Sequence, residues 1–145
     1  MWKKYFILTV TILFILLFTY AATSKLIDFY SFTFQLGKSP LIPQSLTKLT
    51  AFAIPIGELI IISLLIIDKF RILGLFLSFF LMTLFTIYLF YITQYSYYIP
   101  CSCGGILGKM DWNTHIYFNL FCVLIAVISI LIYKVPSHLE NKSLP

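Results

Sequence analysis

The chain has 145 residues, of which 61% are hydrophobic and 10% are charged, and its net charge at pH 7 is +5. Soluble domains contain about half apolar and about a quarter charged residues, so this composition excludes a water-soluble globular protein. The basic residues are scattered singly between apolar runs, which argues against a nucleic-acid-binding surface. The length and composition therefore predict a single domain that is embedded in a membrane.

Four apolar segments are long enough to cross a bilayer, which takes about 20 residues. Because lipid requires each segment to satisfy its own backbone hydrogen bonds, the sequence predicts an all-α integral membrane four-helix bundle. The predicted helices cover residues 5–30, 49–67, 72–98 and 113–133, within a single domain over 1–135. The first apolar run is longer than a signal peptide needs, which favours a retained helix. A polar, disordered tail is predicted over 136–145.

The distribution of lysine and arginine predicts how the bundle is oriented. Six basic residues flank the termini and the second loop, and four lie in the other two loops, so both termini are predicted to be cytoplasmic. The six are Lys3, Lys4, Lys69, Arg71, Lys134 and Lys142, and the four are Lys25, Lys38, Lys48 and Lys109. The protein is then a multi-pass protein of the bacterial inner (cytoplasmic) membrane, and its third loop faces the oxidising side, where disulfides persist.

Lys25 and Asp28 stand near the end of the first predicted helix at a spacing of i, i+3, so on a continuing helix they share a face and can pair. Two structural roles are open. The pair anchors the interface, with Lys25 extending to the lipid headgroups, or it packs against the third loop. Residues 31–48 are predicted to form a loop, because Pro40 and Pro43 prevent a continuous helix.

Glu58 is the one charged residue inside an apolar segment. A carboxylate at mid-membrane is costly and usually faces the bundle interior. It is either a protonated acid that donates to a neighbouring helix or an ionisable group on a proton or ligand path. Pro55 is expected to kink the same helix. Thr86 and Tyr88 of the third helix are candidates for a polar pocket with Glu58, although helical threonines usually donate to their own backbone.

The fourth helix begins with a run of polar and aromatic residues. Asp111 is a predicted N-cap, and Trp112 is predicted to lie at the interface. His115 falls in the first turn, where the helix dipole favours a neutral imidazole. It is a candidate base for a thiol or a simple interfacial histidine. Asn119 lies one turn later on the same face and is a candidate for the inner pocket, and Cys122 is expected to act as a small apolar residue.

Cys101 and Cys103 lie between the third and fourth helices, in the sequence Pro-Cys-Ser-Cys-Gly-Gly over residues 100–105. A disulfide across a single residue closes a strained ring, and strained disulfides exchange more readily than structural ones. Gly104 and Gly105 allow the backbone to turn. Three interpretations are open: redox exchange, which is favoured, a Cu(I) site made by two thiolates, and a structural pair.

The order of these features resembles the MauE branch of the DoxX-like membrane proteins. The resemblance rests on Ser24-Lys25-Leu26-x-Asp28-Phe29, Ser39-Pro40-Leu41-Ile42-Pro43, Pro55-x-x-Glu58-Leu59, Phe85-Thr86-x-Tyr88-Leu89, Pro100-Cys101-Ser102-Cys103-Gly104-Gly105 and Trp112-x-x-His115-x-x-x-Asn119. It implies a four-helix membrane protein linked to extracytoplasmic thiol–disulfide chemistry. Members of the family are associated with maturation of methylamine dehydrogenase and often act beside a thioredoxin-like partner.

The resulting hypothesis is a membrane thiol–disulfide relay. Cys101 and Cys103 exchange disulfides with a thioredoxin-like protein or a secreted client, and the bundle passes electrons to a quinone or another dithiol. The alternative is a non-enzymatic accessory subunit whose Cys-x-Cys is a structural staple or binds copper. No other metal site is assigned, no nucleic acid is expected as a partner, and a homodimer is left open.

Overall fold

A computed structural model describes residues 1–96 and 111–134. Within these ranges 88% of the residues are helical and no strand occurs. The α-helices are α1 (Trp2–Ile27), α2 (Phe29–Gly37), α3 (Thr47–Ile66), α4 (Arg71–Tyr95) and α5 (Trp112–Lys134), and a 3-10 turn at Asp68–Phe70 joins α3 to α4. By length and composition, α1, α3, α4 and α5 can each cross a membrane. The predicted all-α protein with four spanning helices is confirmed.

The outer faces of the spanning helices are covered by large apolar side chains. Leu16, Ile87 and Leu124 are all more than 60% exposed. Water would disfavour such a continuous apolar surface, whereas lipid tails accommodate it. The exposed surface is therefore the lipid-facing surface of an integral membrane protein.

The inner faces are marked by residues that recur every three or four positions. Because an α-helix has 3.6 residues per turn, this spacing places them on one side of the helix. In α1 the buried residues are Val10, Thr11, Phe14, Phe18, Ala22 and Lys25, and in α3 they are Thr47, Ala51, Pro55, Glu58, Ile61 and Leu65. Lys25 and Glu58 are thus members of the two stripes that face each other in the bundle.

Asp28 separates α1 from α2, so α1 does not continue through it. Its backbone angles, φ −117° and ψ 57°, are not helical, and its side chain caps the next helix. Asp28 Oδ1 accepts a hydrogen bond from the backbone N–H of Ser31 at 3.2 Å. An N-cap carboxylate satisfies an amide that has no partner inside the helix.

The prediction that residues 31–48 form a loop is wrong for its first part, because α2 occupies Phe29–Gly37. The helix-breaking prolines lie beyond its end and do not oppose it. Phe32 and Leu36, spaced i, i+4, are buried against Ala51 of α3. Their burial explains why this short segment is helical: its apolar face packs on a neighbouring helix.

The two ends of the bundle differ in character. The half near the Asp68–Phe70 turn contains an apolar core that includes Phe14, Leu65, Leu75 and Cys122. The other half, where α1 ends and α5 begins, is covered by α2; we call it the α2 end. The buried charged groups, Lys25 and Glu58, lie in this half.

Candidate functional site

An ion pair between α1 and α3 is the centre of the candidate site. Lys25 Nζ donates to Glu58 Oε1 at 2.8 Å and to the carbonyl oxygen of Ala21 at 3.3 Å. Lys25 is 7% exposed and Glu58 is fully buried. The expectation that Lys25 extends to the lipid headgroups is therefore wrong. The predicted pairing of Lys25 with Asp28 does not form either, because Asp28 ends α1 and caps α2.

The ion pair is stabilised by its surroundings as well as by its own charges. A single buried charge inside a membrane is costly, so the two opposite charges favour each other's burial. The rings of Phe32 and Phe85 have their centroids 6.0 and 5.8 Å from Lys25 Nζ. Aromatic faces at this distance attract a cation. Helices α1, α2, α3 and α4 thus all contribute to holding the ammonium in place.

The second carboxylate oxygen, Glu58 Oε2, is buried and has no hydrogen-bond partner within the residues that the structure describes. Leaving a buried acceptor without a donor costs about 1–3 kcal/mol. Native structures satisfy most such groups, so an exception calls for an explanation, such as a functional role or a bound water, ion or ligand.

A cavity of about 390 Å³ opens beside the ion pair. Binding pockets for small molecules span about 300–1,000 Å³, so this volume is sufficient for one. All five helices line it. Its polar and charged lining residues are Lys25, Thr50, Glu58, Tyr88, His115 and Asn119, and the remaining lining residues are apolar. A few polar groups converge in a mainly apolar chamber, as in many ligand sites.

The cavity brings together most of the residues predicted for the inner pocket. Glu58, Tyr88 and Asn119 all line it, and so does His115, the candidate base; His115 and Asn119 are each 4% exposed. Thr86 is not among the lining residues; its hydroxyl donates to the carbonyl oxygen of Met82 at 2.7 Å. The backbone hydrogen bonds expected of the other α4 hydroxyls are present for Ser78, Thr83 and Thr93.

Pro55 and Trp112, which were assigned structural roles, and Cys122 are not among the residues that line the cavity. Pro55 is buried inside α3, which continues through it, three residues before Glu58. Trp112 begins α5 and is half-buried. Cys122 is fully buried in the apolar core and does not line the cavity. Its environment is that of a small apolar residue.

Sequence reasoning did not identify Lys25 as the partner of Glu58, nor α2 as a wall of the cavity. Lys25 continues the three-to-four-residue spacing of Phe14, Phe18 and Ala22, but the sequence does not reveal this spacing, because the other faces of α1 are apolar too. A signal for α2 exists in the spacing of Phe32 and Leu36 after an aspartate. Phe32, Leu36 and Ile42 line the cavity at the α2 end.

The Cys-x-Cys segment, with Cys101, Cys103, Gly104 and Gly105, lies outside the described residues. Along the chain it connects Ser96, which follows α4, to Asp111, which precedes α5. Within the described residues no three histidine, cysteine, aspartate or glutamate side chains come together to hold a metal ion.

Comparison with known proteins adds one finding. A family model described as methylamine utilisation protein MauE matches residues 3–132. No curated protein and no solved structure matches the chain.

Proposed function

Since the chain belongs to the MauE family of methylamine utilisation proteins, we propose that it is a membrane thiol–disulfide redox protein. In this proposal Cys101 and Cys103 exchange disulfides with a thioredoxin-like partner or a secreted client. The client is a protein whose maturation requires disulfides, which agrees with the family's role in methylamine utilisation.

The observation that carries the proposal is the clustering of polar groups at the α2 end of the bundle, where the Cys-x-Cys segment is attached. The chain leaves α4 seven residues after Tyr88 and enters α5 three residues before His115. Both of these side chains line the cavity beside Lys25 and Glu58. Buried polar groups inside a membrane are costly and usually functional, so their presence at this end supports a role of the bundle in the chemistry of the attached segment.

The exchange proceeds in two steps that conserve electrons. A client thiolate attacks the Cys101–Cys103 disulfide, which gives a mixed disulfide and one free thiolate on this protein. The second client thiolate then attacks the mixed disulfide, so the client leaves with a disulfide and Cys101 and Cys103 are both reduced. The strain of a ring closed over one residue supports this direction, because strained disulfides are the more oxidising ones.

His115 is the base in this proposal. It lies in the first turn of α5, twelve residues after Cys103, and is buried while lining the cavity. A neutral imidazole there can take up the proton of a thiol and release it when the thiol is reformed. Asn119, one turn later, offers a hydrogen-bonding group on the same face.

The orientation that the proposal requires has both termini in the cytoplasm and the Cys-x-Cys segment on the outer side of a bacterial cytoplasmic membrane. Lys25 is buried in the ion pair and no longer counts as a loop charge. Six basic residues then flank the termini and the second loop, and three lie in the first and third loops. This stronger asymmetry supports the orientation.

The test is to trap mixed disulfides with Cys101→Ser and Cys103→Ser, made singly and together. We expect one single variant to accumulate a covalent complex with its client and the double variant to form none. Cys122→Ala is the matched control and should behave as the wild type, because Cys122 is buried in the apolar core. Client oxidation by the double variant at the wild-type rate would overturn the proposal.

The redox state of the pair separates the relay from an accessory role. In a relay, Cys101 and Cys103 cycle between reduced and oxidised forms in cells. A pair that is always oxidised would be a structural staple, and labelling that copper blocks and a chelator restores would indicate a metal site. Either result would contradict the proposal.

A further inference from the structure

We propose that the cavity beside Lys25 and Glu58 binds the headgroup of a lipid-soluble quinone. Its role as the acceptor of electrons from the Cys101–Cys103 dithiol rests on the function proposed above. The binding site itself consists of residues that the structure describes.

The position and lining of the cavity define the first property of the ligand. The chamber lies inside a bundle whose outer surface faces lipid, and most of its lining residues are apolar. A ligand that reaches and fills it must have a mainly apolar body. The volume of about 390 Å³ is large enough for a substituted ring with the beginning of an apolar tail.

The charge balance of the cavity defines the second property. Lys25 and Glu58 neutralise each other at 2.8 Å. A cationic, carboxylate or phosphate headgroup would add a third charge without a partner in the described residues, and an uncompensated buried charge is strongly unfavourable. The ligand is therefore neutral.

The hydrogen-bonding groups define the third property. An ammonium has three donors, and in the described residues Lys25 uses two of them, for Ala21 and Glu58. Glu58 Oε2 is a buried acceptor without a donor in the same set. A carbonyl oxygen can accept from Lys25, and a hydroxyl can donate to Glu58. A quinone provides the carbonyl and its reduced form, the quinol, provides the hydroxyl, so the pair of groups serves both redox forms.

Aromatic side chains support a flat ring in the same place. Phe32 and Phe85 lie about 6 Å from Lys25 Nζ and both line the cavity. Aromatic rings pack favourably in offset or edge-to-face arrangements, which adds to the affinity for a planar headgroup. Asn119 on α5 adds a donor and an acceptor to the polar lining.

A quinone also completes the electron balance of the exchange reaction. The reduced Cys101 and Cys103 lose two electrons and two protons, and a bond forms between their sulfurs. The quinone takes up the two electrons and the two protons at its carbonyl oxygens and becomes a quinol. The disulfide is then restored for the next client, as quinone restores oxidising power in the bacterial periplasm.

The test measures binding of decylubiquinone to the full chain in lipid nanodiscs, by isothermal titration calorimetry. The protein carries Cys101→Ser and Cys103→Ser, so binding is read without any thiol chemistry. We expect saturable binding of one quinone per chain. Decylbenzene, which has the ring and the tail without the oxygens, should bind at least ten times more weakly. Equal binding of the two compounds would overturn the proposal.

Two variants locate the site. Ala21→Phe fills the cavity and should weaken binding at least tenfold, whereas Ala53→Phe, on an exposed face of α3, should leave it unchanged. Asn119→Leu removes the polar groups while keeping the branched side-chain shape and should also weaken binding, which keeps the test valid if Ala21→Phe does not fold. Unchanged affinity in the folded cavity variants would overturn the proposal, as would displacement of the quinone by decanoate or by decylammonium.

The result is independent of the test of the proposed function. Saturable quinone binding supports the site even if mixed disulfides are never trapped. Client exchange by the wild type without saturable quinone binding overturns the site and leaves the exchange function standing. With both present, the reduced wild-type protein should form one quinol for each disulfide under anaerobic conditions.

Discussion

Lys25 and Glu58 form a buried ion pair across 33 positions of the chain, with Nζ 2.8 Å from Oε1. The pair joins the end of α1 to the middle of α3 and forms one side of the cavity. An unpaired lysine or glutamate buried inside a membrane is costly, so each residue stabilises the burial of the other.

Removing one member of this pair should destabilise the bundle. Glu58→Gln leaves the ammonium buried without a counter-charge, and we expect a loss of about 3–5 kcal/mol in the free energy of unfolding. Lys25→Met should cause a loss of the same kind. The double variant should be more stable than either single variant, because no uncompensated charge remains. Unfolding in mixed micelles measures all three, and losses that simply add in the double variant would contradict the pairing.

Replacement of Asp28 should weaken α2. Asp28→Ala removes the acceptor for the Ser31 amide, and we expect a loss of about 0.5–2 kcal/mol in stability. Asp28→Asn is the matched variant that keeps an N-cap acceptor, so it should lose little. Hydrogen exchange of the amides in Phe29–Gly37 reads the effect locally. Equal exchange in both variants would show that the cap does not matter.

The close approach of α3 and α4 at Gly74 should not tolerate a methyl group. A Cβ at Gly74 would stand 3.0 Å from the backbone nitrogen of Leu65 and 2.9 Å from its side chain. We expect Gly74→Ala to destabilise the bundle by about 1–3 kcal/mol, because the two helices must separate. Gly57→Ala is the control, since nothing lies within 4 Å of a Cβ there. It should be neutral or stabilising, because alanine favours a helix by about 1 kcal/mol. Similar melting temperatures for the two variants would contradict this packing.

Thiol labelling should distinguish the cysteines by position. Cys122 is fully buried among apolar side chains, so we expect it to react with a maleimide only after denaturation. After reduction, Cys101 and Cys103 should react with a membrane-impermeant maleimide added from the extracytoplasmic side. The Cys101→Ser, Cys103→Ser variant provides the background. Labelling from the cytoplasmic side alone would reverse the proposed orientation.

Loss of His115 should slow thiol exchange in a pH-dependent way. General bases contribute about 10²–10⁴-fold, so His115→Gln should lower the exchange rate at neutral pH by at least about 100-fold. As pH approaches about 8.5, the usual pKa of a cysteine thiol, the thiolate forms without a base and the deficit should shrink. His138→Gln, which changes the other histidine of the chain, is the control. A deficit that stays constant with pH would show that His115 has only a structural role.

Much of this architecture could be predicted from residues alone. Four long apolar segments require four helices in lipid, because the backbone has no other way to satisfy its hydrogen bonds there. The inward position of Glu58 could also be predicted, because a carboxylate that faces lipid at mid-membrane is costly. The spacing of His115 and Asn119 put them on one face of α5, and the structure places both at the cavity.

The tertiary structure alone decided the rest. In water, the polar outer face of a helix reveals its inner face, but lipid makes both faces apolar, so periodicity could not show that Lys25 points inward. Asp28 could pair with Lys25 or cap α2, and the packing of Phe32 and Leu36 against α3 decided for the cap. With Asp28 engaged, the buried Lys25 and the buried Glu58 pair with each other, because an unpaired charge inside the membrane is unfavourable.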